Sequence, residues 1–486
     1  MTPMKSSSEA AHGASAAASS LYRAVWRWHF YAGLLVLPFL VWLAATGGLY
    51  VFKTQIDGYF HRALKVVPAA PSSRPHGDVV AAALSAHPGT LRKYTPAASP
   101  TASAEVGIAT ARGEALSVFV DAHRAQVLGA LPDGGSVAWT IRKLHSLKYF
   151  GRIARGAIEM AAGWAVLLVL TGIYLWWPRG RSAGVVSVRG TPRQRVFWRD
   201  LHAVTGVFVG AALVFLAITG MPWSVLWGAQ VNRWANGHNF GYPAGVRVQV
   251  PMSQQRLGEG GPTAWSLEQA RLPRSTDEGH EGHEGHEDHA VPGAPGAPGA
   301  AVAAGAAREA VPGALDLNAA VAIFERLGIA PGYTVSLPQG PSGVYTAAVY
   351  PNDLTQQRVI HLDQYSGRPL VDMRYADYGP LARWLEWGIN VHMGQEFGVP
   401  NQALLVAACL GIVVLCASAC VMWWKRRPAG RLGVPPMPGD RRALHGVLML
   451  LVLGGVAFPL VGASLVVMLA LDWLWVLRPA APFAPS

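Results

Sequence analysis

Trp26-Arg27-Trp28-His29-Phe30-Tyr31-Ala32-Gly33 decides the fold, because its pattern returns in Trp198-Arg199-Asp200-Leu201-His202-Ala203-Val204-Thr205-Gly206. His29 is followed by Gly33 at +4 and by Thr46-Gly47 at +17 and +18; His202 is followed by Gly206 and Thr219-Gly220 at the same offsets. A second pair of histidines repeats as well. His145 has Phe150-Gly151 at +5 and +6 and Trp176-Trp177 at +31 and +32, and His392 has Phe397-Gly398 and Trp423-Trp424 at those positions. The chain therefore carries one two-helix module twice, with histidines at matched places.

Composition says where the module lives. Apolar residues make up 51% and charged residues 14% of the 486, with 18 tryptophans, which suits a polytopic membrane protein. Apolar runs at 30–52, 157–177, 204–227, 403–424 and 447–476 are each long enough for a hydrocarbon core of about 30 Å, which takes roughly 20 helical residues. The first run is too long for a cleaved signal peptide, carries His29 at its start, and is followed by no small-residue cleavage pattern, so it reads as a retained span. Pro459 interrupts the last run, which reads as one tilted span or two short ones. Arginine-rich short connections follow Trp177 (Arg179, Arg181, Arg189, Arg193, Arg195, Arg199) and Trp424 (Lys425, Arg426, Arg427, Arg431, Arg441, Arg442), which places them in the cytoplasm. The formal charge of +12 is then a matter of topology and not a nucleic-acid footprint. Both long loops lie on the opposite, periplasm-like side.

Those loops repeat too. Ser117-Val118-Phe119-Val120-Asp121 runs through a turn to Val127-Leu128-Gly129, and Val359-Ile360-His361-Leu362-Asp363 runs through Ser366-Gly367 to Leu370-Val371-Asp372. Each reads as strand, turn, strand. Short helical stretches at 77–87 and 317–327 precede them, so each loop has the outline of a small helix-plus-sheet PepSY domain. A Gly/Pro/Ala-rich insert at 253–313 reads as disordered. Cys409, Cys416 and Cys420 all fall in the fourth span and read as small filler at a helix contact, which leaves no cysteine for a loop disulfide.

A polar ring in lipid needs a partner, and two facing imidazoles are what a six-coordinate haem iron takes. Pairing across the repeat joins His29 with His202 toward the cytoplasm and His145 with His392 at the outer rim, with irons on the order of 20 Å apart inside a 30 Å core. His445 opens the last run as His29 and His202 open theirs, and is the alternative inner ligand. From His145 to Trp177 an unbroken helix would measure about 50 Å, so His145 sits on a protruding helix end or on an interfacial helix broken near Gly151 or Gly156. Gly394, Gly398 and Pro400 suggest the same break after His392. Arg142, Lys143, Lys148, Arg152 and Arg155 ring the outer end, suited to haem propionates, to an anionic chelate or to lipid phosphate. Asp57, Glu159 and Glu386 near span ends read as partners for such cations or as a proton relay. His280, His283, His286 and His289, spaced with carboxylates in the insert, read either as an auxiliary divalent-metal site of modest affinity or as a solvated linker. No Gly-rich dinucleotide fingerprint is present.

In this order and doubling, the tryptophan-flanked His29 helix with its Thr46-Gly47 exit, His145 before Thr171-Gly172-Ile173-Tyr174-Leu175-Trp176-Trp177-Pro178, Asp200-Leu201-His202, His392-Met393-Gly394 and the two loop domains resemble the PepSY-associated transmembrane family. That family is the group of iron-regulated membrane proteins that includes FoxB-type ferric siderophore reductases, and the resemblance spans about 21–427. It implies an inner-membrane protein with two bis-histidine b-type haems that passes electrons outward to a ferric siderophore or other ferric chelate. The expected fold is an all-α bundle of four core spans plus a C-terminal span or hairpin, with two small external α+β domains. The segments are a disordered tail at 1–20 and membrane segments at 21–52, 143–178, 200–228, 381–425 and 444–486. Cytoplasmic connections fall at 179–199 and 426–443, and loop domains at 53–142 and 229–380. The expected partners are lipid, the ferric chelate and a cytoplasmic or quinol electron donor, without nucleic acid. Two other readings stay open: a haem-free accessory or assembly protein, and a metal transporter. Against the transporter, the span centres are apolar apart from Pro38 and Pro459.

Overall fold

The computed structural model describes residues 6–178, 185–237, 252–259, 263–275, 313–428, 432–437 and 440–475. In chain order its principal helices are α1 (Ser6–Tyr50), α2 (Lys53–Phe60), α3 (His76–Ala86), α4 (Val137–His145), α5 (Gly151–Trp176), α6 (Arg195–Gly220), α7 (Trp227–Gly237), α8 (Leu317–Arg326), α9 (Pro380–His392), α10 (Val399–Arg426), α11 (Arg441–Ala457) and α12 (Pro459–Trp475). The chain divides into two compact units, one comprising Met1–Lys53, Ile141–Arg233 and Gly388–Ser486, the other Thr54–Thr140 and Trp234–Trp387.

Four helices of the first unit are long and apolar enough to cross a membrane: Ser20–Tyr50, Lys148–Trp176, Arg195–Trp223 and Val399–Arg426. They close a ring in which α1 packs on α5 and α10, and α6 packs on the same two neighbours. The histidine-bearing helices α1 and α6 are thus diagonal to one another. Small residues let the neighbours approach. A Cβ on Gly48 would lie 3.6 Å from that of Cys409, and one on Gly411 would meet Val209 at 2.5 Å. Cys409 serves this contact, and Cys416 lies in the buried core of the bundle.

The last apolar run is two helices. Phe458-Pro459 separates α11 from α12, as a proline that cannot donate to the preceding turn requires. The two pack on each other, with the tip close to α5: Cβ atoms on Gly156 and Gly163 would meet Leu460 and Val461. The far ends return to the start of α1, where Ser20 accepts from the amide of Asp440 and buried Arg27 pairs with Asp472 at 2.5 Å. At the other end of the chain, α1 reaches back to Ser6, so the tail expected to be disordered over 1–20 is helical from Ser6 onward. Its alanine-rich composition favours that state.

The second unit corrects the expectation of two small separate domains and of an all-α fold. Its strands are β1 (Gly89–Thr95), β2 (Ala104–Thr110), β3 (Ala115–Asp121), β4 (Gln126–Pro132), β5 (Met252–Arg256), β6 (Arg271–Pro273), β7 (Thr334–Ser336), β8 (Val344–Val349), β9 (Arg358–Asp363) and β10 (Pro369–Arg374). Eight of them form one antiparallel sheet in the order β10-β9-β8-β7-β1-β2-β3-β4. The two loop repeats fuse where β1 pairs with β7, Lys93 opposite Ser336 and Tyr94 opposite Val335, and Thr95 Oγ1 meets Thr334 Oγ1 at 2.8 Å. Each repeat covers an edge that the other would leave exposed. Helices α3 and α8 cover one face, burying Val79, Ala83, Val321 and Phe324 against Tyr94, Val106, Val118, Val335 and Ile360.

The insert expected to be disordered over 253–313 begins with ordered chain. Strands β5 and β6 pair, and Leu257, Leu267 and Leu272 join Val359 and Met373 in a second core. Leucines and Trp265 there supply apolar area that the Gly/Pro/Ala composition obscures. The remainder of the insert, with His280, His283, His286 and His289, lies outside the described residues.

Candidate functional site: four anchored histidines

Each of the four repeated histidines meets a hydroxyl from a neighbouring helix. His29 on α1 places Nδ1 2.8 Å from Thr171 Oγ1 on α5. His202 on α6 places Nδ1 3.1 Å from Leu415 O and 3.2 Å from Ser418 Oγ on α10. His145, the last residue of α4, has Nδ1 2.9 Å from Thr46 Oγ1, and His392, the last residue of α9, has Nδ1 2.8 Å from Thr219 Oγ1. Among the described residues none of the four has a carboxyl partner.

The direction of these bonds follows from where the hydroxyl protons go. Thr171 donates to Leu167 O, Thr46 to Trp42 O, Thr219 to Phe215 O and Ser418 to Leu415 O, at 2.7–2.8 Å. With each hydroxyl proton on its own helix, the oxygen is open to accept from the ring. At His202 the Leu415 carbonyl can only accept, which calls for the ring proton on Nδ1. In that arrangement a neutral imidazole presents a lone pair at Nε2, the form a metal-ligating histidine needs. Among the described residues their hydrogen bonds are made at Nδ1 alone.

Small residues beside the hydroxyls give the rings room. A Cβ on Gly47 would lie 3.2 Å from His145 Cε1, one on Gly172 3.4 Å from His29 Cε1, and one on Gly220 3.5 Å from His392 Cε1. The Thr-Gly step is thus a seat, with threonine fixing one edge of the imidazole and glycine admitting the adjacent carbon. Ser418-Ala419 takes the fourth position. The sequence repeat marks Thr46-Gly47 and Thr219-Gly220 without assigning them a role. Ser418 escapes it, since neither residue of its step is spelled the same way.

The seats fall within each module, and the pairs form between modules. His29 and His202 are close enough for a charge on one to oppose a charge on the other, and so are His145 and His392. These are the pairings expected from the repeat. His29 and the Thr46 seat are 17 residues apart on α1, as are His202 and Thr219 on α6, which sets the two levels about 25 Å apart at 1.5 Å per residue. His445 is exposed on α11 and shares none of this geometry. Among the described residues no group of three or more His, Cys, Asp or Glu is placed to hold a metal ion, so pairs are the motif.

The segment after His145 breaks as one of the two expected alternatives has it. Leu147 takes φ 51° and Gly151 φ 82°, and α5 starts at Gly151 without a break at Gly156. After His392, Gly394 and Gly398 take φ 73° and 59°, and Pro400 falls in the first turn of α10. Trp42 Nε1 donates to Leu144 O at 2.9 Å and holds the end of α4 on α1.

Of the outer cations, Arg155 donates to Trp223 O at 3.1 Å, Arg142 lies over the Trp223 ring, and Lys143 lies over the Tyr149 ring. Lys148 and Arg152 are exposed. Lys53 belongs with them and was not singled out by sequence. Its Nζ donates to Gln395 Oε1 at 2.6 Å, three residues past His392, and lies over the Tyr50 ring. Burial, and then the charge of Arg142, pull its pKa down to about 8.

The acids expected to pair with such cations have another use. Glu159 accepts from the amides of Leu226 and Trp227 at the start of α7. Asp57 accepts from Ala138 N at the start of α4, with Lys65 at 3.6 Å. Glu386 accepts from Ser266 N and Oγ. Free helix-start amides favour an anion there.

The family model for the PepSY-associated TM region matches residues 26–426. The chain belongs to that family. Among curated proteins no match was found.

Proposed function

We propose that this membrane protein holds two b-type haems, one between His29 and His202 and one between His145 and His392, and reduces a ferric siderophore or another ferric chelate at the His145/His392 level. The observation that carries the reading is the set of four imidazoles whose Nδ1 atoms meet helix hydroxyls or a carbonyl, an arrangement that suits an Nε2 lone pair on each ring. The chemistry of the donor set fits low-spin haem iron, which two neutral imidazoles would hold. A further fit lies just before His29, where Arg23 Nε, Arg27 Nε and Trp28 Nε1 are buried N–H donors with no acceptor among the described residues. Carboxylates such as haem propionates would satisfy such donors.

When bound, each haem supplies a one-electron ferric/ferrous couple. The residues do the rest. The four histidines would hold the iron positions, and Thr46, Thr171, Thr219 and Ser418 would orient the rings. A ferric chelate would then be reduced by one electron from Fe(III) to Fe(II) at the His145/His392 level, balanced by oxidation of a cytoplasmic or quinol donor at the His29/His202 level. Lys53, Arg142 and Arg155 put positive charge at the outer level, suited to an anionic chelate. The location in this reading is a bacterial inner membrane with the sheet unit periplasmic, as the arginines between spans favour.

Purified full-length protein tests it. The expected result is a low-spin b-type spectrum, and oxidation of the reduced protein by ferric chelates with Fe(II) released. Protein that stays colourless when made in haem-replete cells would reject haem binding and favour an accessory role. Coloured protein that no ferric chelate oxidises would reject only the reductase step.

A further inference from the structure

Every residue from Lys148 to Ile153 is exposed, just where the second membrane-crossing segment begins. Three of them are large and apolar: Tyr149 is 55%, Phe150 62% and Ile153 92% exposed. Positive φ at Leu147 and Gly151 turns the chain here between α4 and α5. At the end of a span such side chains meet the bilayer, whose interface favours aromatic rings.

The second module serves as an internal control. Counted from the outer histidines, Phe150 and Phe397 share the offset +5, and Phe397 is 58% exposed. The bare aromatic is thus common to both modules. The charge is not. At +3 and +7 the first module has Lys148 and Arg152 where the second has Gln395 and Val399, and at +4 Tyr149 stands in place of Glu396. Gln395 is occupied by Lys53, and Glu396 by Asn390.

Other cations at this level are engaged within the bundle: Arg142 over the Trp223 ring, Lys143 over the Tyr149 ring and Arg155 on Trp223 O. Lys148 and Arg152 have neither hydrogen bond nor ion pair among the described residues. No acid falls between Asp133 and Glu159 in the sequence to neutralise them, and Glu159 is taken by the Leu226 and Trp227 amides. Long basic side chains beside exposed apolar surface lay their stems along it and carry the charge to the headgroups. Two such cations together suit a phosphodiester. A free anion would leave Phe150 and Ile153 bare, whereas a phospholipid covers them as well.

We infer that Lys148 and Arg152 bind the headgroup of an anionic phospholipid in the leaflet at the His145 level, with Tyr149, Phe150 and Ile153 against its glycerol backbone and acyl chains. The site requires membrane insertion and does not depend on haem or on iron reduction.

The test is native mass spectrometry of full-length protein released from vesicles of equal phosphatidylglycerol and phosphatidylcholine content. The variant Lys148→Gln/Arg152→Gln, checked by its unfolding temperature, retains one phosphatidylglycerol fewer per chain than the parent and as much phosphatidylcholine. Affinity for that lipid falls on the order of tenfold, since each basic side chain near an anionic surface contributes several-fold. Millimolar inorganic phosphate leaves the lipid in place. Equal phosphatidylglycerol retention in parent and variant, an equal loss of both lipids, or displacement of the lipid by inorganic phosphate would overturn the assignment.

Discussion

The seats of His29 and His202 occupy equivalent places in the two modules and differ in how they hold the ring. His29 relies on one acceptor, the Thr171 hydroxyl. His202 has two, the Leu415 carbonyl and the Ser418 hydroxyl, at slightly longer distances. A backbone carbonyl cannot be mutated away, so the second module has a seat that tolerates drift in its side chain. The first does not.

Four expectations bear on that comparison. The largest effect is loss of a ligand: His29→Ala or His202→Ala removes one of two haems, as does His145→Ala or His392→Ala at the other level, and haem content per chain reads this directly. Equal haem content in all four variants and the parent would sink the pairing. Next, Thr171→Val leaves the His29 Nδ1 proton without an acceptor and weakens haem retention by about 10–100-fold, the usual range for a partner behind a metal ligand. Ser418→Ala should cost several-fold less because Leu415 O remains, and equal losses would erase the asymmetry argued here. Gly47→Ala presses a methyl to 3.2 Å from His145 Cε1 and should shift the outer spectrum modestly without loss of haem.

The sheet unit supplies a contrast in which a histidine is seated for stability. His361 is buried on β9 with Nδ1 2.8 Å from Thr346 Oγ1, and burial lowers its pKa to about 4 from 6.5. Between those values the unfolded chain takes up a proton that the folded chain does not. Stability is full above pH 6.5 and falls as pH drops toward 4, by on the order of a few kcal/mol. Amide exchange of β8 and β9 in the full-length protein should quicken across that window, and His361→Gln should flatten the dependence. An unchanged dependence would show that other groups control it.

The bundle was legible because its signals are local or periodic. Apolar runs of sufficient length, the Lys/Arg bias and the histidine offsets all survive in one dimension, and the break after His145 could be narrowed to Gly151 or Gly156 by length alone. The sheet was not legible as one body. Its joining contact, Tyr94 opposite Val335, links strands far apart in sequence, and nothing in either strand announces the other. The β5–β6 hairpin hid inside a compositionally biased insert whose few leucines carry the packing. Pro459 marked a discontinuity, and only the contacts of Leu460 and Val461 with α5 show that the chain turns back. Lys53 carries no sequence signal of its own, because its partner Gln395 is brought to it only by the fold.

The most direct test of the account is the axial ligation of iron in the purified protein, read by electron paramagnetic resonance alongside a haem count. The account predicts two low-spin, bis-imidazole haems per chain, falling to one in His29→Ala and to one in His145→Ala. A count below two in the haem-replete parent, or a high-spin signal showing an open axial site, would contradict it.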